Sequence, residues 1–344
     1  MGRLPLILLT VLLVVINGLA DELSGMPGAF ATRDLGPRGA ALAGAQTANP
    51  HATEALLYNP ADLFDVKWSG GYAYSRAFDL IPYNFPAASY RFSKTPLAFG
   101  VVAIQNGDAI YSENELFFGV STAWGFLRFG TSWKLRYAST GSGGEDFLDP
   151  ESGQNTKVSG TGMGLAGFDF GVKGVFWKEK LCIGAVMKDA FSAVAWDTEN
   201  EAGTAEGKYT EYVPLSIKVG MAYRFLSGAV ISVDIEPGLY HLPPPFDFEF
   251  FKTYEDIKNR LCLGLELYPL GMFSSGWVKE LIALRGGYSE DVFEKDKAKV
   301  FAMGGGLAFP MGSYLNVAID AGYQINTIFQ GNNSPIIGLS IWSP

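Results

Sequence analysis

The sequence of 344 residues carries 26 Lys and Arg against 35 Asp and Glu, which gives a formal net charge of −9 at pH 7. This acidic balance argues against a nucleic-acid partner, because phosphate binding requires a basic surface. With two histidines and two cysteines, the chain shows no metal-type cluster, and it contains neither a nucleophile elbow nor an H-E-x-x-H motif. We therefore expect no catalytic residues, no metal, no cofactor and no enzyme activity.

Residues 1–20 have the three parts of a secretory signal peptide. Arg3 provides the positive charge, Leu4 to Ile16 form the apolar run, and small residues follow at Gly18 and Ala20. A single membrane anchor is the alternative interpretation, but the run is shorter than the roughly 20 residues that a spanning helix needs. We predict that the mature protein is exported and lacks these residues.

Residues 21–64 differ in kind from the rest of the chain, since from residue 24 onwards they are rich in glycine and alanine and show no strand alternation. A flexible leader is one interpretation, but the segment is too apolar for a solvated tail. Asn59-Pro60 is a typical turn start, and small residues allow a chain to fold compactly in a narrow space. We predict that residues 21–64 form a hatch, or plug, inside the strand structure that follows.

Residues 65–344 show the two-residue period of β-strands. In Arg260–Tyr268, leucines alternate with polar or small residues. The pattern returns along the chain with hardly any amphipathic helix to cover it, so the apolar face needs an apolar solvent. The only sheets that satisfy their backbone in a bilayer are closed β-barrels. We predict an all-β fold, a 14-stranded antiparallel transmembrane β-barrel, with strands at 67–78, 85–93, 96–105, 113–123, 127–138, 160–177, 179–189, 212–224, 228–237, 258–268, 278–288, 298–309, 313–324 and 333–342.

The predicted connections alternate between short and long. Short turns follow every second strand, except that the connection 269–277 is longer, whereas the stretches 139–159, 190–211 and 238–257 on the other side are long. Outer-membrane barrels have short periplasmic turns and long outer loops, with aromatic residues at the headgroup level. Aromatic residues such as Trp124 and Trp177 lie beside the short turns. We therefore predict the outer membrane of a Gram-negative-type bacterium, with lipid as the surrounding partner.

Two blocks of the predicted hatch resemble a known motif. Gly36–Ala45 and Ala52–Leu63 are similar to the N-terminal motif of PorV-type outer-membrane proteins. They are also similar to the hatch of the FadL-type long-chain fatty-acid transporter superfamily, which likewise ends in Asn-Pro-Ala. The resemblance implies a 14-stranded barrel with an N-terminal plug, in agreement with the independent strand count. The motif residues are Gly36, Arg38, Gly39, Gly44, Asn59 and Pro60.

Charged residues on the predicted lumen face are the first candidate site. One interpretation is a barrel interior in which charges pair with one another and hold the plug. The other is a path on which several basic residues receive an anionic head group, since a carboxylate pairs with arginine through two hydrogen bonds. The basic candidates are Arg136, Lys218, Arg224, Arg260 and Arg285.

The second candidate site is the predicted loop 238–257, which holds many aromatic residues for an exposed loop. Such an apolar patch marks a ligand or partner site, or else the loop folds over the barrel mouth. Three consecutive prolines would stiffen the loop and reduce the ordering cost of binding. The ligand-binding candidates are Phe246, Phe248, Phe250, Phe251 and Tyr254.

Two functions follow from the resemblance. The FadL-type relation implies passive uptake of hydrophobic or amphipathic, fatty-acid-like small molecules across the outer membrane. The PorV-type relation implies instead a carrier subunit of a type IX secretion system, which holds secreted proteins at the cell surface. A structural barrel without transport is a third possibility, and the sequence alone leaves the choice, the substrate and the oligomeric state open. Cys182 and Cys262 lie mid-strand on the small-residue face, and we expect both to be unpaired.

Overall fold

The protein is described by a computed structural model of part of the chain. The predicted signal peptide and the first part of the predicted hatch lie outside the described residues. Within the described part, no helix is both long enough and apolar enough to cross a membrane. The described residues are 35–77, 81–107, 111–140, 147–148, 155–156, 158–200, 206–213, 215–226, 228–237, 239–241, 252–253, 260–272, 280–290, 299–311, 315–327 and 333–343.

Fourteen long strands follow one another along the chain, and each overlaps one of the fourteen predicted strands. They are β1 (Trp68–Ala77), β2 (Ile81–Arg91), β3 (Leu97–Gly107), β4 (Tyr111–Trp124), β5 (Leu127–Thr140), β6 (Val158–Phe176), β7 (Leu181–Asn200), β8 (Leu215–Leu226), β9 (Ala229–Glu236), β10 (Arg260–Leu267), β11 (Ile282–Glu290), β12 (Lys299–Met311), β13 (Leu315–Asn326) and β14 (Asn333–Trp342). Five shorter strands lie between them, at Phe147–Leu148, Asn155–Thr156, Glu206–Tyr212, Leu239–His241 and Lys252–Thr253.

The fourteen long strands form one closed ring. Each pairs antiparallel with the next in sequence. The ring closes where β14 pairs with β1, from Ser69 opposite Trp342 to Ser75 opposite Ile336. Closure gives both edges of every strand a partner, which is the property that allows a sheet to exist in lipid. The predicted 14-stranded antiparallel barrel is therefore confirmed.

We call the ring of fourteen strands the wall of the barrel. The side chains of β10 show which face of this wall is outside. Leu261, Leu263 and Leu265 are 38, 39 and 40 % exposed, whereas Cys262 and Glu266 are each 1 % exposed. An apolar outer face and a polar or small inner face are expected of a barrel in a bilayer. Both cysteines of the chain are buried and free, as predicted.

The wall is uneven at β6 and β7, which have 19 and 20 residues. The stretch 190–211, predicted as a loop, is largely strand, because β7 continues to Asn200 and the chain turns back through Glu206–Tyr212 to pair with it. The β6–β7 register shifts three times between Met163 and Phe170. Such irregularities bend a strand and interrupt its ladder of hydrogen bonds.

Residues 35–64, here named the inner segment, precede β1 and form short helices instead of strands. They comprise α1 (Pro37–Ala41), a 3-10 turn at Ala52–Glu54, α2 (Ala55–Tyr58) and a 3-10 helix at Pro60–Phe64. Helix α1 contacts strands β11 to β14, whereas the 3-10 helix contacts strands β2 to β6. The inner segment therefore reaches inward-facing residues on different sides of the ring.

Candidate functional site

Inward glycines of the wall leave room for the backbone of the inner segment. A Cβ atom on Gly130 of β5 would lie 2.3 Å from the carbonyl carbon of Pro60. One on Gly287 of β11 would lie 2.4 Å from the carbonyl carbon of Leu42. Carbon atoms in contact are roughly 3.5–4.0 Å apart, so no larger residue fits unless the segment moves. The neighbouring Gly286 is different, because nothing lies within 4 Å of its Cβ position.

Arg38 links α1 to the wall. Its Nε and Nη2 donate to the two carboxylate oxygens of Glu266 in β10, at 3.1 and 2.8 Å, and its Nη1 donates to Gln46 at 2.8 Å. Arg285 of β11 donates to the same carboxylate at 2.6 Å and also pairs with Asp320 of β13. Two guanidinium groups on one buried carboxylate form strong, geometrically specific bonds. The inner segment is therefore firmly attached on this side.

Glu54 connects the 3-10 turn at Ala52–Glu54 to helix α1. Its Oε1 accepts the backbone N–H of Arg38 at 3.1 Å and its Oε2 accepts that of Gly39 at 2.9 Å. These N–H groups belong to the first turn of α1, where helical donors lack a partner within the helix. Burial raises the pKa of Glu54 to about 7, although Arg38 and the two N–H bonds act in the opposite direction.

A small cavity lies beside Glu54, between the inner segment and strands β1, β2, β13 and β14. Its volume is about 20 Å³, enough for roughly one water molecule. His51 lines it, and the His51 ring packs edge-on against Trp342 with ring centroids 4.8 Å apart. Burial lowers the pKa of His51 to about 4, so its imidazole is neutral near pH 7. Arg38, Asp320 and Ser340 also line the cavity.

Asn59, from the Asn-Pro pair, is completely buried and connects two turns of the inner segment. Its side-chain oxygen accepts the N–H of Ala61 at 3.1 Å, and its amide nitrogen donates to the carbonyl of Thr47 at 2.8 Å. Beside it, Lys173 of β6 pairs with the buried carboxylate of Asp62. The Asn59 amide nitrogen also donates to the carbonyl oxygen of Val172 in β6 at 3.3 Å, so polar contacts hold the Asn-Pro pair at the wall.

Charged side chains of β7 and β9 hold the backbone of the inner segment directly. Asp234 of β9 accepts two consecutive backbone N–H groups, those of Gln46 at 2.9 Å and Thr47 at 2.8 Å. Lys188 of β7 donates to the carbonyl oxygen of Leu57. Because these partners are buried, each bond would leave an unsatisfied polar group if it were broken.

Strands β1 to β4 meet the inner segment through apolar side chains. We name this contact the apolar seam. It joins Leu56, Leu57, Tyr58 and Leu63 of the inner segment to Ala73, Tyr83, Phe85, Ala87, Ala98, Val102, Ile104 and Phe117 of the wall. The interior therefore has a side rich in charged attachments, at β6 to β13, and a mainly apolar side at β1 to β4, where Arg91 of β2 also donates to the carbonyl oxygen of Phe64 at 2.8 Å.

The basic lumen candidates are paired with carboxylates. Arg136 of β5 pairs with Glu115 at 2.9 Å and also with Asp189. Lys218 of β8 lies 3.3 Å from Glu236. This arrangement agrees with the first interpretation, a self-paired interior. Capture of an anionic head group stays a prediction.

The other three candidates lie at separate places. Arg260 is 3.9 Å from Glu236, and Arg285 belongs to the network around Arg38. Arg224, at the end of β8 near a short turn, pairs with Glu280 at 3.6 Å and is partly exposed. The structure does not gather the five basic residues into one site.

The hatch-motif residues all lie in the inner segment. Gly36 and Gly44 have φ angles of 92° and 82°, a region that favours glycine. A Cβ atom on Gly39 would lie 2.0 Å from the hydroxyl oxygen of Tyr58, so the helices approach each other closely there. The aromatic candidates Phe246, Phe248, Phe250, Phe251 and Tyr254 lie outside the described residues.

The fold is similar to that of several solved structures. The toluene transporter TodX of Pseudomonas putida is similar with a TM-score of 0.58 at 14 % identity, over 91 % of this chain and 99 % of that one. A monoaromatic hydrocarbon channel, CymD, gives 0.55 at 14 % identity over 92 % and 99 %. A FadL homologue of Pseudomonas aeruginosa gives 0.54 at 10 % identity over 89 % and 97 %.

At these identities the similarity establishes the fold alone. The FadL-type barrel that the hatch motif led us to expect is thus confirmed as the architecture of the chain. The sequence matches no family model and no curated protein.

Among the interior residues that the sequence analysis missed are Glu54 and Asp62 of the inner segment. Both are acidic and both are fully or almost fully buried, at 3 % and 0 % exposure. A signal was present, because each is a single charge within an otherwise small and apolar stretch, and buried charges are kept only when they have partners.

Proposed function

We propose that this protein is an outer-membrane barrel for the passive uptake of small hydrophobic or amphipathic molecules. The apolar seam, within a barrel that has the fold of hydrocarbon channels, is the observation that supports this function. TodX and CymD are described as a toluene transporter and a monoaromatic hydrocarbon channel. Monoaromatic hydrocarbons are therefore the first class of substrate to test here, followed by fatty-acid-like molecules.

The inner segment separates more easily from one side of the barrel interior than from the other. Moving Leu56 and Leu63 away from the wall exposes apolar surface, which an apolar solute is able to cover. Moving Arg38 away from Glu266 instead breaks a buried ion pair, at a cost of roughly 3–5 kcal/mol. The inner segment therefore separates from β1 to β4 more readily than from β10, and an apolar molecule passes through the apolar seam.

Residues 21–64 act as a hatch whose movement opens the apolar seam. The aromatic residues of 238–257 capture the molecule outside, and export by the signal peptide brings the barrel to the outer membrane. No described contact favours the PorV-type carrier function, which stays a prediction of the sequence.

Filling the apolar seam tests the route. Ala98 lies in the seam on β3, whereas Ala302 is equally inward-facing on β12, away from it. A leucine at position 98 would narrow the seam through which the molecule passes, so we expect Ala98→Leu to slow uptake roughly tenfold, which corresponds to about 1.4 kcal/mol in the barrier to passage. Ala302→Leu should leave uptake nearly unchanged.

The measurement is entry of radiolabelled toluene and of a labelled fatty acid into cells that depend on this barrel, at equal amounts of folded protein. Uptake by wild-type cells that equals uptake by cells without the barrel, for every ligand, would contradict the proposed function. Equal uptake by the two alanine variants would contradict the route.

A further inference from the structure

We propose that the outer face of strands β2 to β5 binds one membrane phospholipid, with an acyl chain in an apolar groove of the wall and the phosphate beside Lys94. The site lies on the lipid-facing side of the barrel and is separate from the apolar seam inside it. The proposal goes beyond uptake and does not rest on the proposed function.

The groove arises from the order of large and small outward residues on neighbouring strands. Two rows of paired residues cross β2, β3, β4 and β5 in that order. The row nearer the middle of the strands is small and then aromatic: Ala88, Val101, Phe118 and Trp133. The row nearer the short turns is aromatic and then small: Tyr90, Phe99, Val120 and Thr131. The small residues of both rows thus leave a trough between two aromatic pairs.

The trough has the size and the lining of a ligand site. Its volume is about 650 Å³, within the roughly 300–1,000 Å³ of small-molecule sites, and none of the residues that the structure places along it is charged. The rings of Phe118 and Trp133 form one side, with centroids 5.9 Å apart. Each of these rings is more than 40 % exposed, so an apolar ligand would still find free aromatic surface.

The surroundings of the groove indicate that its occupant is an acyl chain. Phe129 of β5 and Phe170 of β6 also face outwards, and they are 40 and 43 % exposed. In a bilayer such a face meets hydrocarbon. A chain therefore enters the groove without leaving the apolar layer. Between the aromatic pairs it touches more protein atoms than on a smooth part of the wall, and each such contact adds to the attraction.

Lys94 provides a partner for the lipid phosphate. It is exposed in the short turn between β2 and β3, four residues after Tyr90. Between Lys94 and the groove, the ring of Phe92 packs edge-on against Tyr90 and Phe99, with centroids 5.2 and 5.5 Å apart. Aromatic rings prefer the headgroup level of a membrane, and a lysine at that level attracts anionic lipid. An anionic phospholipid of the leaflet beside the short turns is therefore the expected ligand.

Native mass spectrometry of the full-length protein tests the groove. The barrel is released from micelles doped with palmitoyl-oleoyl phosphatidylglycerol, and the ratio of barrel with one lipid to barrel with none is measured. For the wild type we expect one retained lipid. Val120→Trp fills the trough, so we expect this ratio to fall roughly tenfold as the chain loses its contacts. Ile319→Trp adds the same side chain to an outward position of β13, away from the groove, and should retain the wild-type ratio.

A second pair of variants tests the phosphate contact. Lys94→Gln should lower the ratio roughly fivefold, the effect of one lysine near an anionic lipid surface. Lys178→Gln changes an exposed lysine in the short turn between β6 and β7 and should have no effect. An unchanged ratio in Lys94→Gln overturns the phosphate contact.

Three results would overturn the groove as a lipid site. One is a wild type that retains no lipid. Another is equal retention by Val120→Trp and Ile319→Trp, which would identify the lipid as adventitious. The third is a wild type of two chains that becomes a single chain in Val120→Trp, because a second copy would then fill the groove. If Val120→Trp does not fold, Phe99→Ala removes one side of the groove and should lower the ratio as well. No transported solute is present, so a failure here is distinguishable from a failure of uptake.

Discussion

At the scale of single residues, the sequence identified several inner-segment residues but not their partners. Arg38 and Asn59 stand out because a motif contains them, whereas the partner of Arg38 is Glu266, 228 positions away. Many inward-facing carboxylates occur along the strands, and local pattern does not indicate which one faces a given arginine. That choice depends on strand register and on the path of the inner segment, which only the three-dimensional structure provides.

Replacing Arg38 tests how firmly the charged side is attached. Arg38→Met leaves Glu266 with Arg285 alone, so we expect a loss of roughly 3 kcal/mol in the free energy of unfolding. Arg224→Met breaks a partly exposed pair with Glu280 and should cost less than about 1 kcal/mol. Denaturant unfolding in detergent micelles compares the two. Equal losses would show that the Arg38 network does not anchor the inner segment.

At the scale of elements, the alternation of apolar with polar or small residues predicted the number and order of the strands. It predicted the ends of the strands less well. The clearest error is β7, which continues through residues assigned to a loop. A strand that extends above the membrane has no lipid around it, so its outward residues need not be apolar. The two-residue signal of a lipid-facing strand therefore disappears there, although the pairing continues.

Close packing of the inner segment against the wall is testable with two glycines. Gly130→Ala would place a carbon 2.3 Å from the backbone of Pro60, whereas Gly286→Ala meets nothing within 4 Å. We expect the first change to displace the 3-10 helix and to increase hydrogen exchange of residues 57–64, at a cost of roughly 1–3 kcal/mol. The second should change stability by no more than about 0.5 kcal/mol. Identical exchange in the two variants would contradict the described packing.

At the scale of the whole molecule, the exposed apolar residues require a nonpolar surrounding. Leu263 lies in the middle of β10 and faces outwards. If this face contacts hydrocarbon, Leu263→Arg should destabilise the barrel by roughly 2–4 kcal/mol, while Leu263→Phe should be nearly neutral. Reversible unfolding from phospholipid vesicles measures both. Equal stability of the two variants would mean that lipid does not cover this face.

The uneven wall gives the barrel a rim of unequal height. Strands β1, β2 and β3 have 10, 11 and 11 residues, close to the roughly 9–11 that cross a bilayer, whereas β7 has 20. One low part of the rim thus stands above the apolar seam and ends near the membrane surface. The described strands β9 and β10, on the charged side, are also short, with 8 residues each. On the proposed function, a hydrophobic solute already dissolved among the lipid headgroups reaches the entrance without having to pass a strand that extends far beyond the membrane. Its supply then depends on how strongly it partitions into the membrane, and less on its concentration in the surrounding water.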